Sequence, residues 1–197
     1  DLRTDDGRAT LADLVAGADV LVQSFRPGTL AARGFGPGRL AELSPGIVVV
    51  DLSAYGHAGP WRARRGFDSL VQVASGIAAD GMGERPGALP LQALDHGTGW
   101  LSAAAVTTAL RRRHAEGGSW WVRPALARTG AWLDDLGRVP PDGGTEPGPA
   151  DVAGLMAAMD SQFGRVDHVR VPGDLPGAQP CYAFGPRLPG GDPAAWE

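Results

Sequence analysis

Lysine and asparagine are absent from the 197 residues, so all 18 basic side chains are arginine. An arginine in this chain is therefore not by itself a sign of phosphate binding. The single cysteine, Cys181, excludes an internal disulfide framework, and no Cys/His cluster with metal-site spacing occurs, so we expect no metal. No run approaches the roughly 18 apolar residues that a membrane span needs.

The bulk composition favours an ordinary globular protein. Hydrophobic residues make up 43% of the chain and charged residues 20%, which supplies enough apolar material for a core. A net charge of −4 argues against a nucleic-acid partner. No secretory signal opens the chain, so we expect a cytoplasmic protein without a membrane partner.

The first half predicts a parallel α/β unit. Residues 5 to 53 read as helix, strand, helices, strand, with "DVLVQSF" and "GIVVVDLS" as strands and "RLAEL" as a short helix. Pro27 is expected to open a further helix between the strands. "DLRTDDGR" has no methionine and reads as a strand turning into a helix, so we expect a longer protein or a lost N-terminal segment.

The second half is less regular. We expect a helix over 98 to 114 with Leu101, Ala104, Ala105 and Leu110 buried, a linker at "PPDGGTEPGPAD", and a helix over roughly 150 to 162. The predicted fold is α/β. It is a Rossmann-like parallel sheet with helices on both faces, incomplete at its N-terminus, followed by a smaller C-terminal region. The predicted domains are residues 1–116 and 117–197.

Asp95, in "ALDHGTGW", is the first candidate for chemistry. Its place at the start of a helix suits capping, as does that of Thr98. Alternatively, its carboxylate attacks a thioester and holds the acyl group as a mixed anhydride, with helix-start N–H groups stabilising the oxyanion. Gly97 and Gly99 would let a bulky substrate approach the backbone.

Two further segments follow strands, at the usual ligand-binding edge of an open α/β sheet. In "SFRPG", Arg26 can pair with a phosphate, although it can equally be a surface arginine. In "YGHAGPWRARRGFDSL", Arg62, Arg64 and Arg65 either contact an anion or belong to a solvated loop. Asp68 reads as a cap of its own helix.

Taken together, these segments resemble the family III CoA-transferases, which include formyl-CoA transferase, carnitine CoA-transferase and the α-methylacyl-CoA racemases. The match comprises "DLRTDDGR", "ADVLVQSFRPGTL", "RLAEL", "IVVVDLSAYGHAGPW", "RRGFDSLVQVASG" and "LDHGTGWLSAAAVTTAL" in that order. The resemblance implies a Rossmann-like domain with a small domain, and two interlocked chains. It places the catalytic aspartate on Asp95, in the pattern D-x-x-T-G. The residues it implies for coenzyme A (CoA) binding are Phe25, Arg26, Pro27, Gly28, Tyr55, Gly56 and His57.

The resemblance predicts an acyl-CoA:carboxylate CoA-transferase, whose substrates are an acyl-CoA and a carboxylate acceptor. A racemase is the first alternative. The histidine of the racemase motif G-H-D is replaced here, because the motif reads Gly66-Phe67-Asp68, and phenylalanine cannot carry a proton. A racemase would therefore need His57 or His96 as its second acid or base. A non-catalytic copy that binds a full partner is the second. Family members have an N-terminal CoA-gripping segment before "DLRT". We therefore expect a longer protein, a partner that supplies this segment, or a domain that no longer binds CoA in the usual way. The resemblance implies an interlocked homodimer as the assembly.

Overall fold

The computed structural model describes residues 1–80, 87–137 and 145–196. The chain divides into two compact units, Asp1–Arg138 with Trp196–Glu197, and Val139–Ala195. Residues 117 to 137, predicted as part of the smaller region, belong to the first unit because their strand joins its sheet. The first five residues of the predicted linker, 140–144, lie outside the described residues.

A three-stranded parallel sheet forms the centre of the first unit. Its strands are β1 (Val20–Gln23), β2 (Val48–Asp51) and β3 (Trp120–Val122), in the order β1-β2-β3. Val22 pairs with Val50, and Val50 with Val122. All four residues of β2 are buried, as expected of the central strand in a sheet covered on both faces. The predicted parallel α/β fold is confirmed.

Within the described part of the first unit, five α-helices accompany this sheet. They are α1 (Asp5–Ala16), α2 (Pro37–Leu43), α3 (Asp68–Ala74), α4 (Ala93–Glu116) and α5 (Leu126–Asp135). Thr4 caps α1, since its hydroxyl accepts a hydrogen bond from the Gly7 N–H at 3.1 Å. One core cluster joins Val15 of α1 and Leu40 of α2 to Val49. A second joins Val71, Leu94 and Leu126 of the other three helices.

Two local expectations in the first unit are wrong. Pro27 does not begin an α-helix; the chain turns there and forms only a short 3₁₀ segment, Ala31–Arg33. Helix α4 begins five residues earlier than predicted, at Ala93. The residues expected to be buried on this helix are not: Leu101 is 42% exposed. Ala104 is also exposed, and Ala105 and Leu110 are only half-buried. The helix turns a different stripe to the core, because its buried residues are Leu94, Thr98 and Ala109.

The second unit contains a β-hairpin where the sequence predicted a helix. A short helix, α6 (Pro149–Val152), leads through a 3₁₀ turn to β4 (Met156–Ser161), which pairs antiparallel with β5 (Gly164–Val169). Gly164 takes a positive φ of 93° in the turn. The Ser161 hydroxyl accepts from the Phe163 N–H at 3.0 Å. The hydrogen bond to Ser161 and the positive φ of Gly164 therefore favour a hairpin here, although the spacing of apolar residues predicted a helix.

In the part of the chain that the structure describes, no helix is long and apolar enough to cross a membrane.

Candidate active site

The carboxyl ends of β1 and β2 bring the two predicted binding segments to one edge of the sheet. The Gln23 side-chain amide donates a hydrogen bond to the Asp51 carboxylate. The Gln23 Oε1 accepts from the Phe25 N–H at 2.8 Å, which fixes the start of the loop after β1. The strand ends and the loops are thus tied together by side chains that the strands themselves supply.

His57 is engaged by the end of β2. Its Nε2 lies 2.9 Å from the Asp51 main-chain oxygen, and its Nδ1 lies 3.7 Å from Asp51 Oδ2. The imidazole meets the Trp121 ring edge-on, with centroids 6.3 Å apart. Burial raises the pKa of Asp51 above its ordinary value, and the adjacent His57 opposes that rise. His57 therefore anchors the loop after β2 to the sheet.

Two cavities open at this edge. The first, of about 350 Å³, lies over the strand ends and is lined in part by Pro27, Gly28 and His57. The second, of about 260 Å³, lies between the loops after β1 and β2. It is lined by Ser24, Phe25, Arg26, Pro27, Ser53, Ala54, Arg64, Arg65, Gly66 and Phe67. We call this second space the loop cavity.

Five of the seven residues predicted for CoA binding line one or both of these cavities. Phe25 and Arg26 line the loop cavity, Pro27 lines both cavities, and Gly28 and His57 line the first. Tyr55 and Gly56 line neither of the two. Instead, the Tyr55 ring contacts Trp61 edge-on at 5.1 Å, and the Gly56 N–H donates to Ser53 Oγ at 3.0 Å.

Asp95 is the third residue of α4 and its side chain is exposed. Asp95 does not cap the helix, because the N-cap position is held by Gln92. Thr98 does not cap it either; this residue is buried against Thr129, and the two hydroxyl oxygens lie 2.6 Å apart. The Asp95 backbone N–H donates instead to Asp68 Oδ2 at 2.8 Å. Its carboxylate is therefore free of any capping role.

Asp68 and Gln72 form a buried support beneath Asp95, and they are 2% and 1% exposed. The Gln72 amide donates to Asp68 and to the Leu91 carbonyl, and its Oε1 accepts from the Leu89 N–H at 2.7 Å. These bonds hold the segment before α4 and the first turn of α4 against α3. The expectation that Asp68 caps its own helix is wrong, because Phe67 holds that position without a side-chain bond.

Sequence reasoning missed this support. The available signal was the spacing of Asp68, Val71 and Gln72, which places two polar residues on the buried stripe of a short helix. Buried polar groups require partners, so such a stripe indicates a side-chain network.

The electrostatic environment makes Asp95 more basic than an ordinary aspartate. Partial burial raises the pKa of Asp95, the charge of Asp68 raises it further, and His96 opposes both. A more basic carboxylate is a stronger nucleophile once it is ionised. The arrangement thus supplies an exposed carboxylate on a backbone that is fixed by hydrogen bonds.

Two expectations about the surroundings of Asp95 change. The Asp95 and His96 N–H groups are already bonded, to Asp68 and to the Gln92 carbonyl, so neither is open to an oxyanion. A Cβ at Gly97 would lie 3.2 Å from Thr129, so this glycine serves the contact between α4 and α5. Gly99 has open space around it, as an approaching substrate requires.

Gly66→Ala is expected to lower the free energy of unfolding by about 1–3 kcal/mol, because overpacking forces backbone shifts. The new Cβ would lie 2.7 Å from the Ala54 Cβ and 3.1 Å from the Tyr55 ring. Gly38→Ala is the control, since nothing lies within 4 Å of its Cβ and alanine favours a helix. Urea unfolding compares the two, and a Gly66→Ala protein as stable as the parent would contradict the packing described.

Among the described residues, no group of three or more His, Cys, Asp and Glu side chains is placed to hold a metal ion.

The parallel three-stranded sheet with helices packed around it places the chain in the class of open-sheet α/β proteins, and comparison with known proteins identifies the family. The model for CoA-transferase family III matches residues 1–137. The chain therefore belongs to CoA-transferase family III, which confirms the resemblance seen in the sequence.

Individual relatives agree with this assignment. The chain is 36% identical over 128 residues to an acyl-CoA transferase of Fusarium pseudograminearum, covering 63% of this chain and 28% of the relative. It is 40% identical over 87 residues to the succinyl-CoA–D-citramalate CoA-transferase of Chloroflexus aurantiacus, covering 44% and 22%. The crystal structure of an aspartate-to-alanine mutant of Rv3272 from Mycobacterium tuberculosis matches with a TM-score of 0.64 and 31% identity, covering 69% and 39%. The chain thus spans less than a third of these two curated relatives.

Proposed function

We propose that the chain carries the catalytic aspartate of an acyl-CoA:carboxylate CoA-transferase, and that this residue is Asp95. The supporting observation is an exposed carboxylate on a backbone fixed by the buried Asp68–Gln72 pair. Leu94, in the first turn of α4, belongs to one core cluster with Leu126, and Ala54 and Tyr55 of the loop after β2 pack against that cluster. The first turn of α4 therefore lies near the strand-end loops.

The reaction proceeds through two kinds of intermediate on Asp95. The carboxylate attacks the acyl-CoA thioester carbonyl, forming a mixed anhydride and releasing the CoA thiolate. The thiolate then attacks the aspartyl carbonyl, giving an aspartyl-CoA thioester and releasing the first acid. The second carboxylate attacks the carbonyl of this thioester, expels the CoA thiolate and forms a new anhydride. The returning thiolate cleaves that anhydride at the acyl carbonyl, which yields the new acyl-CoA and restores Asp95.

CoA is proposed to lie along the loops after β1 and β2. Arg26 is exposed beside the loop cavity and pairs with a phosphate, since guanidinium groups bind phosphate bidentately. Phe25 and Pro27 provide apolar contact, and Gly28, with a positive φ of 84°, leaves the backbone open to the ligand. Tyr55, Gly56 and His57 hold the second loop in place.

Transfer is favoured over the alternatives by the placement of the side chains. A racemase needs a second proton carrier that faces Asp95. Both ring nitrogens of His57 face Asp51. His96 directly follows Asp95 on α4, and adjacent residues of a helix do not face each other. A non-catalytic copy would turn Asp95 inward as a cap, whereas its side chain is exposed. We propose a cytoplasmic enzyme that acts as an interlocked homodimer or with a partner chain. Native mass spectrometry distinguishes these assemblies.

The direct test is a covalent adduct. After incubation of the chain with an acyl-CoA, intact mass spectrometry is expected to show a mass increase that peptide mapping places on Asp95. Hydroxylamine should remove it, because both the anhydride and the thioester are activated acyl groups. A chain that is stabilised by CoA in a thermal shift but gains no adduct would contradict the proposal.

A further inference from the structure

Asp51 stands between the two loops that are proposed to hold CoA. It is the last residue of β2, it is 9% exposed, and it pairs across the parallel ladder with Gln23, the last residue of β1. The Asp51 Oδ1 accepts a hydrogen bond from the Gln23 amide. The Asp51 Oδ2 lies 3.7 Å from His57 Nδ1, in the loop after β2. A buried carboxylate needs partners, and the two oxygens of this one are divided between two segments of the chain.

Asp51 sets the orientation of the Gln23 amide. A carboxylate only accepts hydrogen bonds, so the amide presents its NH2 group to Asp51. The Gln23 Oε1 then points the other way and accepts from the Phe25 N–H at 2.8 Å. Without the carboxylate, either end of the amide could face Phe25, and only the oxygen can hold this N–H. The start of the loop after β1 therefore depends on Asp51.

His57 extends the same link into the loop after β2. Its Nε2 lies 2.9 Å from the Asp51 main-chain oxygen, and because a carbonyl only accepts, Nε2 donates in this contact. The Trp121 ring meets the imidazole edge-on, with centroids 6.3 Å apart. Both ring nitrogens are thus turned to one residue, and the loops after β1 and β2 meet at Asp51.

The three linked side chains line one cavity. Gln23, Asp51 and His57 all contribute to the cavity of about 350 Å³ over the strand ends, which Pro27 and Gly28 also line. Its volume lies within the roughly 300–1,000 Å³ that is typical of ligand pockets. Pro27, Gly28 and His57 belong to the residues proposed for CoA. The link therefore stands in the wall of a space that the proposed CoA residues share.

We propose that Asp51 is a positioning residue for CoA binding, because through Gln23 and His57 it holds the loops after β1 and β2 in the arrangement that receives CoA. This inference rests on the proposed function for the identity of the ligand, but the link between the loops is measurable without any ligand. The Asp95 backbone is held by a different residue, Asp68 on α3. Removing the link should therefore weaken CoA binding and leave kcat nearly unchanged.

Asp51→Ala is expected to raise the Kd for CoA by about 10- to 100-fold in isothermal titration calorimetry, the usual cost of losing a hydrogen bond to a charged group. Gln23→Ala should raise the Kd by a similar factor, and the double variant by little more, because both changes break one link. Gln23 is only half-buried, so its variant tests the link even where Asp51→Ala fails to fold. In the transfer assay, the KM for acyl-CoA should rise in the same way.

Two further variants serve as controls. Asp51→Asn should retain most of the affinity, because the asparagine amide offers its oxygen to Gln23 and its NH2 group to His57 Nδ1. Glu116→Gln should leave the Kd unchanged, although it also removes a carboxylate that is bonded to another side chain, that of Arg112 at 2.9 Å. Glu116 is exposed and is the last residue of α4.

Amide exchange followed by NMR tests the link without CoA. The Phe25 N–H, which Gln23 Oε1 holds, should exchange about 10-fold faster after Asp51→Ala. The Asp95 N–H, which Asp68 holds, should exchange as it does in the parent.

Several outcomes would overturn the inference. Unchanged exchange of the Phe25 N–H in Asp51→Ala would exclude the link itself. Faster exchange with an unchanged Kd, or a parent chain that binds no CoA, would exclude a role of the link in CoA binding, whatever adduct forms on Asp95. A fall in kcat as large as the rise in Kd would indicate a general disturbance of the fold in place of positioning. Conversely, weaker CoA binding in the Asp51 and Gln23 variants, together with a parent that forms no adduct on Asp95, would overturn the proposed transferase and leave the role of Asp51 standing.

Discussion

Asp95→Asn is expected to lower the rate of CoA transfer by about 10³- to 10⁶-fold, the usual consequence of removing a nucleophile. Asparagine keeps the shape of the side chain but cannot form the anhydride. The bond from the residue 95 backbone N–H to Asp68 involves only main-chain atoms of residue 95, so the variant retains it. Asp95→Ala should behave in the same way, and the loss is measured as kcat with a fixed acyl donor.

The stability of the same variant separates a catalytic role from a structural one. The folded chain raises the pKa of Asp95, so the carboxylate binds its proton more tightly folded than unfolded. The free energy of unfolding therefore falls as the pH rises from the ordinary aspartate pKa through the raised one. Asp95→Asn removes the ionisable group and with it this fall in the free energy of unfolding. In urea unfolding at neutral pH, the variant should therefore be at least as stable as the parent.

Asp13→Asn serves as the control for Asp95→Asn, because Asp13 is an exposed carboxylate on α1. It should change neither the rate of CoA transfer nor, by more than about 0.5 kcal/mol, the free energy of unfolding. If Asp95→Asn transferred CoA at the parental rate, the assignment of the nucleophile would be wrong. If it unfolded more easily than the parent, the carboxylate would have a structural role that its exposure does not suggest.

Asp68→Ala is expected to lower the free energy of unfolding by about 1–3 kcal/mol, because it leaves the Asp95 N–H and the Gln72 amide without their acceptor. It should also reduce kcat by about 10- to 100-fold, since a small displacement of a reacting group weakens catalysis strongly. In the proposed mechanism, Asp68 acts through Asp95 as a positioning residue. Urea unfolding and the transfer assay measure the two effects.

Asp68→Asn distinguishes the charge of this residue from its hydrogen bonds. It retains one carbonyl acceptor but removes the negative charge that helps to raise the pKa of Asp95. The acidic limb of the kcat/KM profile, where Asp95 ionises, should therefore move to lower pH. A purely structural residue would lower the whole profile without moving that limb, so an unmoved limb would contradict the electrostatic role of Asp68.

The sequence was sufficient to predict the fold of the first unit because its signals are local. β-branched runs such as "GIVVVDLS" define the buried strands, and the helices between them follow from apolar spacing. The family resemblance drew attention to Asp95 in the same way, through a short contiguous motif. Whether Asp95 is the nucleophile remains a prediction.

The errors fall where distant residues or turn chemistry decide the structure. Asp68 reads as an ordinary helix-start aspartate, and only the packing of α3 against α4 brings it to the Asp95 N–H. The burial of α4 follows from the position of its neighbours, which the apolar pattern does not specify. The hairpin of β4 and β5 depends on a tight turn at Gly164, a stronger signal than the alanine and methionine spacing before it.

The lengths of the two connections in the parallel sheet also favour an order of events during folding. β1 and β2 are joined by residues 24–47, whereas β2 and β3 are joined by residues 52–119. Closing a longer connection costs more entropy, so the third strand adds late. The Asp68–Asp95 bond spans only 27 residues inside that longer connection. We therefore expect the backbone around Asp95 to assemble before the sheet is complete. A shorter 52–119 connection should accelerate the docking of β3 more than the pairing of Asp68 with the Asp95 backbone.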